Sequence, residues 1–190
     1  GGPGSGKSWV AGHSTAGLGM KIVNSDEIYE LKLTSSGLGT DFTKYTEKDF
    51  EKSQVIRDKA KSLTKMRMKQ WMDGRLGLIV DGTGHKFDRL QSASEGLRGL
   101  GYDTMMIFVN TSLDVALKRN SRRPRKLRDD IVKKSWENVQ SNIGKFQEYF
   151  GADKFIIVDN NTETEARDPF RSVYKILKKI IQKPVENYKA

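Results

Sequence analysis

The sequence predicts an α/β fold in which one parallel sheet is flanked by helices. Four short apolar runs bounded by turn residues alternate with longer segments whose apolar residues recur every three or four positions. Strands and helices that alternate in this way form parallel sheets joined by right-handed crossovers. The 190 residues contain no internal repeat, low-complexity segment or linker, so residues 1–190 are predicted to form a single domain.

The first half of the chain is predicted to contain two strands and three helices. Gly17-Leu18-Gly19 ends the first helix, and Ser25 or Asp26 can cap the second. Ile56, Ala60, Leu63 and Met66 lie at helical spacing in the third. The predicted elements are a helix over 7–15, a strand over 20–24, a helix over 28–33, a loop over 34–46, a helix over 47–72 and a strand over 76–80.

The second half is predicted to contain two more strands and four helices. Thr111 and Asp114 resemble a capping box at the start of the second of these helices, and Pro124 interrupts the basic segment after it. The predicted elements are a helix over 88–100, a strand over 104–109, a helix over 111–119, a basic segment over 119–128, a helix over 129–150, a strand over 155–158 and a helix over 163–181. The helix over 129–150 carries an apolar stripe that we predict to be core: Val132, Trp136, Val139, Ile143, Phe146 and Phe150.

The first eight residues, GGPGSGKS, fit the phosphate-binding P-loop pattern G-x-x-x-x-G-K-[ST]. Lys7 is predicted to reach the β- and γ-phosphates of ATP, and the Ser8 hydroxyl to ligate Mg²⁺. Because a P-loop follows a buried strand, we also expect a further strand before Gly1. Backbone N–H groups at the positive end of the following helix are predicted to hold the phosphates, at Gly2, Gly4, Ser5 and Gly6.

Three predicted strands end in polar residues, at 24–26, 81–83 and 159–161. Since ligands of parallel sheets bind at the carboxyl ends of the strands, these residues are predicted to share one site with the P-loop. Asp26 is the candidate general base, with a helix cap as the alternative. Thr83, between two glycines, is assigned to acceptor binding, and Asn160 to nucleotide binding.

Asp81 follows four apolar residues, which is the arrangement of a Walker B acid. It can hold Mg²⁺ through water, orient Lys7, or cap a turn, and the sequence leaves these three roles open.

The segment 119–128 is predicted to be a basic lid that closes over ATP. Its planar guanidinium groups suit phosphate, and Arg119 and Arg123 are assigned to catalysis. The alternative is a surface loop with incidental charge. The four arginines that favour the lid are Arg119, Arg122, Arg123 and Arg125.

The amino-acid composition limits the classes of partner and metal site that this chain is expected to have. Lys and Arg number 34 against 24 Asp and Glu, a formal charge of +10, which favours a polyanionic partner such as nucleic acid over a purely solubilising role. The absence of Cys excludes disulfides and thiolate metal sites and fits a cytoplasmic location. No apolar run approaches the ~18 residues of a membrane span, so no membrane partner is expected.

With these residues in view, the chain resembles the kinase domain of phage-type polynucleotide 5′-hydroxyl kinases and the wider P-loop kinase group that includes zeta toxins. The P-loop of residues 2–8 resembles that of the polynucleotide kinases, Asn24-Ser25-Asp26-Glu27 resembles their N-x-D-D segment, and residues 118–123 (KRNSRR) resemble their lid segment K-R-N-S-K-R. The turn Asp81-Gly82-Thr83-Gly84 looks as much like the E-G-T-G turn of zeta toxins.

The resemblance implies a P-loop kinase fold with ATP and Mg²⁺ as cofactors. It implies that Asp26 is the general base and that Arg119 and Arg123 are the lid arginines. Tyr29 stands where the polynucleotide kinases have an Arg that helps hold the acceptor phosphate, and we assign it to the acceptor side.

The leading prediction is therefore an ATP-dependent kinase that phosphorylates the 5′-hydroxyl end of a polynucleotide. The first alternative is a zeta-toxin-like kinase that acts on a small sugar-nucleotide. The second alternative, from another functional class, is a nucleotide-dependent binding module without transfer activity.

Overall fold

The computed structural model describes residues 1–15, 18–161 and 167–182, and these residues form a mixed α/β protein. The helices are α1 (Lys7–Thr15), α2 (Asp26–Ser35), α3 (Glu47–Asp73), α4 (Phe87–Gly99), α5 (Leu113–Arg122), α6 (Asp129–Ser141), α7 (Ile143–Phe150) and α8 (Arg167–Ile181). The strands are β1 (Lys21–Val23), β2 (Leu78–Val80), β3 (Met106–Asn110) and β4 (Phe155–Asp159), and a 3₁₀ turn covers Phe42–Lys44. Every predicted strand is thus present, in the predicted order.

The strands of the described residues form two small parallel sheets, so the predicted parallel α/β arrangement is present, but as two strand pairs rather than one continuous sheet. Strand β1 pairs with β2, and β3 pairs with β4. An apolar cavity of about 290 Å³ lies between β2 and β3, and these two strands do not pair. Ile79, Ile107, Val109 and Gly1 are among the residues that line this cavity. The strand expected before Gly1 stays a prediction.

The core consists of three apolar clusters, one of which supports the candidate base. Around Tyr29, Leu33, Phe42 and Ala60, helix α2 packs against α3 and the 3₁₀ turn. The second cluster lies between β3, β4 and the helices α6 and α7, and the third joins β4 to α8. Because α2 begins at Asp26, the first cluster fixes the direction in which this residue leaves β1.

The predicted helix over 129–150 is two helices, although its stripe is core as expected. Val132, Val139 and Phe146 are fully buried. Helix α6 ends at Ser141 and α7 begins at Ile143, with Asn142 between them. The Asn142 side-chain amide donates to the carbonyl of Gly84 at 3.1 Å, so the break ties these helices to the turn after β2.

Most of the other boundaries differ from the predicted ones by one or two residues, and the following differences have a visible cause or concern the site. The cap of α5 is Ser112 rather than Thr111, because the Ser112 hydroxyl accepts from the Val115 N–H. Helix α2 begins two residues early, and the predicted loop over 34–46 contains the 3₁₀ turn, since Phe42 is buried in the first cluster. Helix α5 extends through Arg122, so only residues 123–128 of the predicted lid lie between helices. Helix α8 begins at Arg167, and the predicted start of the last helix lies outside the described residues.

Across the described ranges, no helix combines the length and the apolar character that crossing a membrane requires.

Candidate active site

The P-loop has the backbone geometry that its glycines predict. Gly4 and Gly6 adopt φ angles of 75° and 80°, in the left-handed region that favours glycine. A side chain at Gly4 would also collide with the backbone carbonyl of Ala116 in α5. The loop closes with a hydrogen bond from Ser5 N to Gly2 O at 3.3 Å, and α1 begins directly after it at Lys7.

Asn160, after β4, and Arg119, on α5, lie beside the P-loop. Asn160 follows β4, and its side-chain amide donates to the Ser5 carbonyl at 2.8 Å. The Arg119 guanidinium donates to the Asn160 carbonyl at 2.9 Å and lies next to Gly6. Both residues therefore lie beside the P-loop backbone. Direct contacts from either of them to a nucleotide stay a prediction.

Ser8 and Asp81 meet at the start of α1. The Ser8 hydroxyl donates to Asp81 Oδ2 at 2.7 Å, which joins the P-loop helix to the end of β2. A hydroxyl and a carboxylate oxygen side by side suit Mg²⁺, which takes few protein ligands and completes its shell with water and phosphate oxygens. The described residues contain no cluster of three or more His, Cys, Asp or Glu side chains that could bind a metal without such help. The pair fits the role predicted for Ser8 and one of the three left open for Asp81.

Asn24 connects Asp81 to the candidate base, a role that the sequence analysis did not assign. Its side-chain amide donates to Asp81 Oδ2 at 2.8 Å, and its Oδ1 accepts from the backbone N–H of Asp26 at 2.7 Å. Asn24 thus fixes both carboxylate-bearing strand ends. The only sequence signal for it was its position in the N-x-D segment.

Replacing Asn24 with alanine should lower the kcat of the predicted kinase reaction about 100-fold, since it removes both hydrogen bonds and lets the two acids shift. Asn24→Asp keeps an acceptor for the Asp26 N–H but faces Asp81 with a like charge, so we expect it to lose at least as much activity. Steady-state turnover, with circular dichroism as the folding control, measures both. Activity close to that of the parent protein in Asn24→Ala would show that Asn24 does not position the site.

Asp26 lies in the first turn of α2 and is held by Arg125. Arg125 Nη1 lies 3.1 Å from Asp26 Oδ2 and 3.1 Å from Glu30 Oε1, and only 11% of its side chain is exposed. Partial burial alone would raise the pKa of Asp26, but the charge and hydrogen bond of Arg125, together with Lys7 and Arg57, outweigh it and hold this pKa below its ordinary value. Asp26 is therefore a carboxylate at neutral pH.

Lys7 lies between the two acids. Burial lowers the pKa of Lys7 below its usual value, and the positive charges of Arg123 and Arg125 act in the same direction. The carboxylates of Asp81 and Asp26 oppose that shift. The charges of both acids and of these two arginines therefore all reach Lys7 beside the P-loop.

The segment between α5 and α6 is docked against the α2–α3 side of the protein. The carbonyl of Pro124 accepts from the Thr40 hydroxyl at 3.2 Å, and the carbonyl of Lys126 accepts from the backbone of Phe42 at 3.0 Å. Asn120 holds Leu127 with two side-chain hydrogen bonds, and Leu127 packs on the cluster around Tyr29. The segment is therefore held against α2 and the 3₁₀ turn by these contacts, and its role as a lid stays a prediction.

Thr83 and Tyr29, the two residues assigned to the acceptor, have different surroundings. Thr83 follows β2, and its hydroxyl is paired with His85 Nδ1 at 2.5 Å. Tyr29 is 2% exposed, and its ring lies in the core beneath the guanidinium groups of Arg57 and Arg125, at 5.1 and 5.6 Å. Contact of Thr83 or Tyr29 with an acceptor stays a prediction, whereas Tyr29 clearly supports the two arginines.

Arg57 is a second residue that the sequence analysis did not assign to the site. It lies on α3, 31 positions after Asp26, on a helix whose many charges gave no reason to single it out. Only the packing of α3 on α2 brings it near the base. A phosphate cradle, a hydroxyl–carboxylate pair and an ionised acid flanked by arginines are the parts that phosphoryl transfer to an acceptor requires.

Comparison with known proteins agrees with this geometry. No curated protein matches the chain. The family model of the zeta toxins, which are P-loop kinase-like proteins, matches residues 1–168. That range contains the P-loop, the end of each strand and the basic segment. The finding supports the wider of the two resemblances, and the resemblance to phage polynucleotide kinases in particular stays a prediction. Because the match covers most of its length, the chain belongs to the zeta toxin family.

Proposed function

We propose that this protein is a phosphotransferase that moves the γ-phosphate of ATP to a hydroxyl group. The observation that carries the proposal is the convergence at Lys7. The phosphate-binding lysine lies within electrostatic reach of Asp81, which is paired with Ser8, and of Asp26, which is ionised. A nucleotide-binding module that transfers no phosphate does not need an ionised acid such as Asp26, in addition to the metal-binding Asp81, near its P-loop lysine.

In this proposal the acceptor hydroxyl attacks the γ-phosphorus in line with the bond to the β-phosphate. The hydroxyl proton passes to the Asp26 carboxylate as the new O–P bond forms. The bond between the γ-phosphorus and the bridging oxygen breaks, and ADP leaves. Lys7, Arg119 and Arg123 offset the negative charge on the transferred group.

Ser8 and Asp81 would hold Mg²⁺, Asp81 through water, and the bound ion would neutralise charge on the β- and γ-phosphates. The Ser8–Asp81 hydrogen bond brings the two side chains together. Asn24 keeps Asp81 in register with Asp26.

Family membership makes a small sugar-nucleotide our first proposal for the acceptor. This replaces the order favoured by composition, in which the 5′-hydroxyl end of a polynucleotide came first. The polynucleotide remains the second candidate because the formal charge of +10 favours a polyanion.

The test is incubation with ATP labelled on the γ-phosphate and a panel of acceptors: UDP-sugars, 5′-hydroxyl oligonucleotides and nucleosides. We expect label on a UDP-sugar, and label on the oligonucleotide alone would move the second candidate to first place. Slow ATP hydrolysis that no acceptor accelerates would contradict the transferase and favour the binding module.

A further inference from the structure

Arg57 is a half-buried cation with no hydrogen-bonded partner in the described residues. Its contacts are with the ring of Tyr29, whose centroid lies 5.1 Å from the guanidinium carbon. Arg125 beside it differs, because that guanidinium is bound to both Asp26 and Glu30. A guanidinium offers five donors, and partial burial without acceptors is unfavourable unless something else supplies them.

The position of Arg57 relates it to the base. Tyr29 lies one helical turn after Asp26 on α2, so a cation held over the ring lies beside the carboxylate. Arg57 is among the charges that hold the pKa of Asp26 low, which shows that its field reaches that residue. The other charges that face Asp26 are Lys7 from the P-loop helix and Arg125 from the segment before α6. Arg57 is the one supplied by α3.

We propose that Arg57, held over Tyr29 beside Asp26, binds a phosphate group of the acceptor. This inference rests on the proposed function and deepens it, since it names the acceptor class as a phosphate-bearing molecule whose phosphate lies near the hydroxyl that reacts. The Arg57 fork forms charge-assisted hydrogen bonds with the phosphate oxygens, and this places the hydroxyl at Asp26. This subsite is separate from the P-loop, which in the proposed function binds the phosphates of ATP.

Both candidate acceptors have the required phosphate. In a sugar-nucleotide it is the diphosphate attached to the reacting sugar. In a polynucleotide it is the phosphate on the 3′ side of the terminal nucleotide. The shared chemistry is a phosphodiester or diphosphate one sugar away from the nucleophile, and matched acceptors can separate the two sources.

The experiment compares Arg57→Gln with the parent protein on pairs of acceptors that differ only in the phosphate. One pair is a UDP-sugar and the free sugar, and the other is a 5′-hydroxyl dinucleotide and a nucleoside. We expect Arg57→Gln to lower kcat/KM about 10- to 100-fold for the phosphate-bearing member of the active pair and to leave the free member unchanged. The change should appear in KM more than in kcat, and Arg57→Lys should restore part of it.

Arg67→Gln is the matched control, because Arg67 lies on the same helix, carries the same charge and is exposed. Equal losses in Arg57→Gln and Arg67→Gln would assign the effect to general electrostatics and overturn the proposal. Equal losses on both members of an acceptor pair would show a structural role for Arg57 and would overturn it as well.

A binding measurement separates failure of this inference from failure of the proposed function. Calorimetric titration with the UDP-sugar and with the dinucleotide, in the absence of ATP, does not depend on transfer. If no acceptor is phosphorylated but Arg57→Gln weakens binding about 10-fold or more, the transferase is wrong and the phosphate subsite stands. If transfer occurs and Arg57→Gln binds as tightly as the parent protein, or if the parent protein binds neither ligand, the subsite is wrong.

Discussion

Asp26→Asn should lower the rate of phosphoryl transfer about 10²- to 10⁴-fold while ATP binding stays within about twofold of the parent value. General-base catalysis contributes a factor of that size, and an amide cannot accept the hydroxyl proton. Asparagine has nearly the shape of aspartate, so the backbone hydrogen bond from Asp26 N to Asn24 should survive the change. Transfer of labelled phosphate to the acceptor, together with titration of a fluorescent ATP analogue, measures the two quantities separately.

Glu27→Gln is the matched control for this variant. Glu27 is the adjacent carboxylate, but its side chain is exposed, and no ion pair ties it to the site among the described residues. We expect Glu27→Gln to retain nearly full activity. Transfer that persists in Asp26→Asn would refute the assignment of the base, and the binding-module alternative would regain support if neither substitution changed a slow turnover of ATP.

The parts of the site that lie close together in the chain were predictable from the sequence. The P-loop pattern specifies its own conformation, because left-handed φ angles at Gly4 and Gly6 follow from glycine at those positions. Asp81 could be placed because four apolar residues before it predict a buried strand whose end faces the P-loop. In both cases a local pattern determines the backbone, and the backbone determines where the side chain lies.

The parts that depend on packing between distant segments were not predictable. Arg57 reaches the base only because α3 packs on α2 around Tyr29 and Ala60. Arg125 was assigned to a lid over ATP, yet its guanidinium pairs with Asp26 and Glu30. A cluster of arginines carries no information about which carboxylate each member will meet, since that depends on the tertiary contacts that dock residues 123–128.

The fold shows the same division. Strand positions and the alternation of strands with helices followed from apolar runs of four to six residues. The continuity of the sheet could not be predicted from these runs, because strand pairing depends on whether neighbouring strand edges reach each other. In the described residues an apolar cavity separates β2 from β3. The interruption at Asn142 was also missed, since the periodicity of the apolar stripe continues through it while the Asn142 side-chain amide donates to the carbonyl of Gly84.

Arg125→Gln should reduce kcat about 100-fold and move the acid limb of the pH–rate profile to higher pH. Arg125 fixes the direction of the Asp26 carboxylate, and misplacement of a catalytic group by about 1 Å costs a factor of that size. The same substitution removes the largest influence that lowers the pKa of Asp26. That pKa then rises toward its ordinary value, although Lys7 and Arg57 still lower it, and protonation of the base begins at a higher pH than in the parent protein.

The sign of the effect on stability follows from the same shift. A carboxylate whose pKa is lowered by folding contributes stability above its unfolded pKa, and this contribution is lost as the pH falls through the folded value. The difference in unfolding free energy between the parent protein and Arg125→Gln should therefore be full near neutral pH, at about 1 kcal/mol, because the side chains of Asp26 and Glu30 are 37% and 41% exposed and solvent screens the pair. It should shrink as the pH falls from about 4, the ordinary pKa of an unfolded Asp, through the lower folded pKa at which Asp26 of the parent protein takes up a proton.

Arg128→Gln distinguishes this effect from the loss of any arginine in the basic segment. Arg128 pairs with Asp130, but 57% of its side chain is exposed, and an exposed pair contributes at most about 1 kcal/mol. We expect the Arg128 variant to keep the parent pH–rate profile and activity. An acid limb that stays in place in Arg125→Gln, with kcat unchanged, would mean that the contact with Asp26 does not govern the base. An acid limb that shifts in Arg125→Gln while ATP binding is unchanged would show that the segment of residues 123–128 controls the ionisation of Asp26.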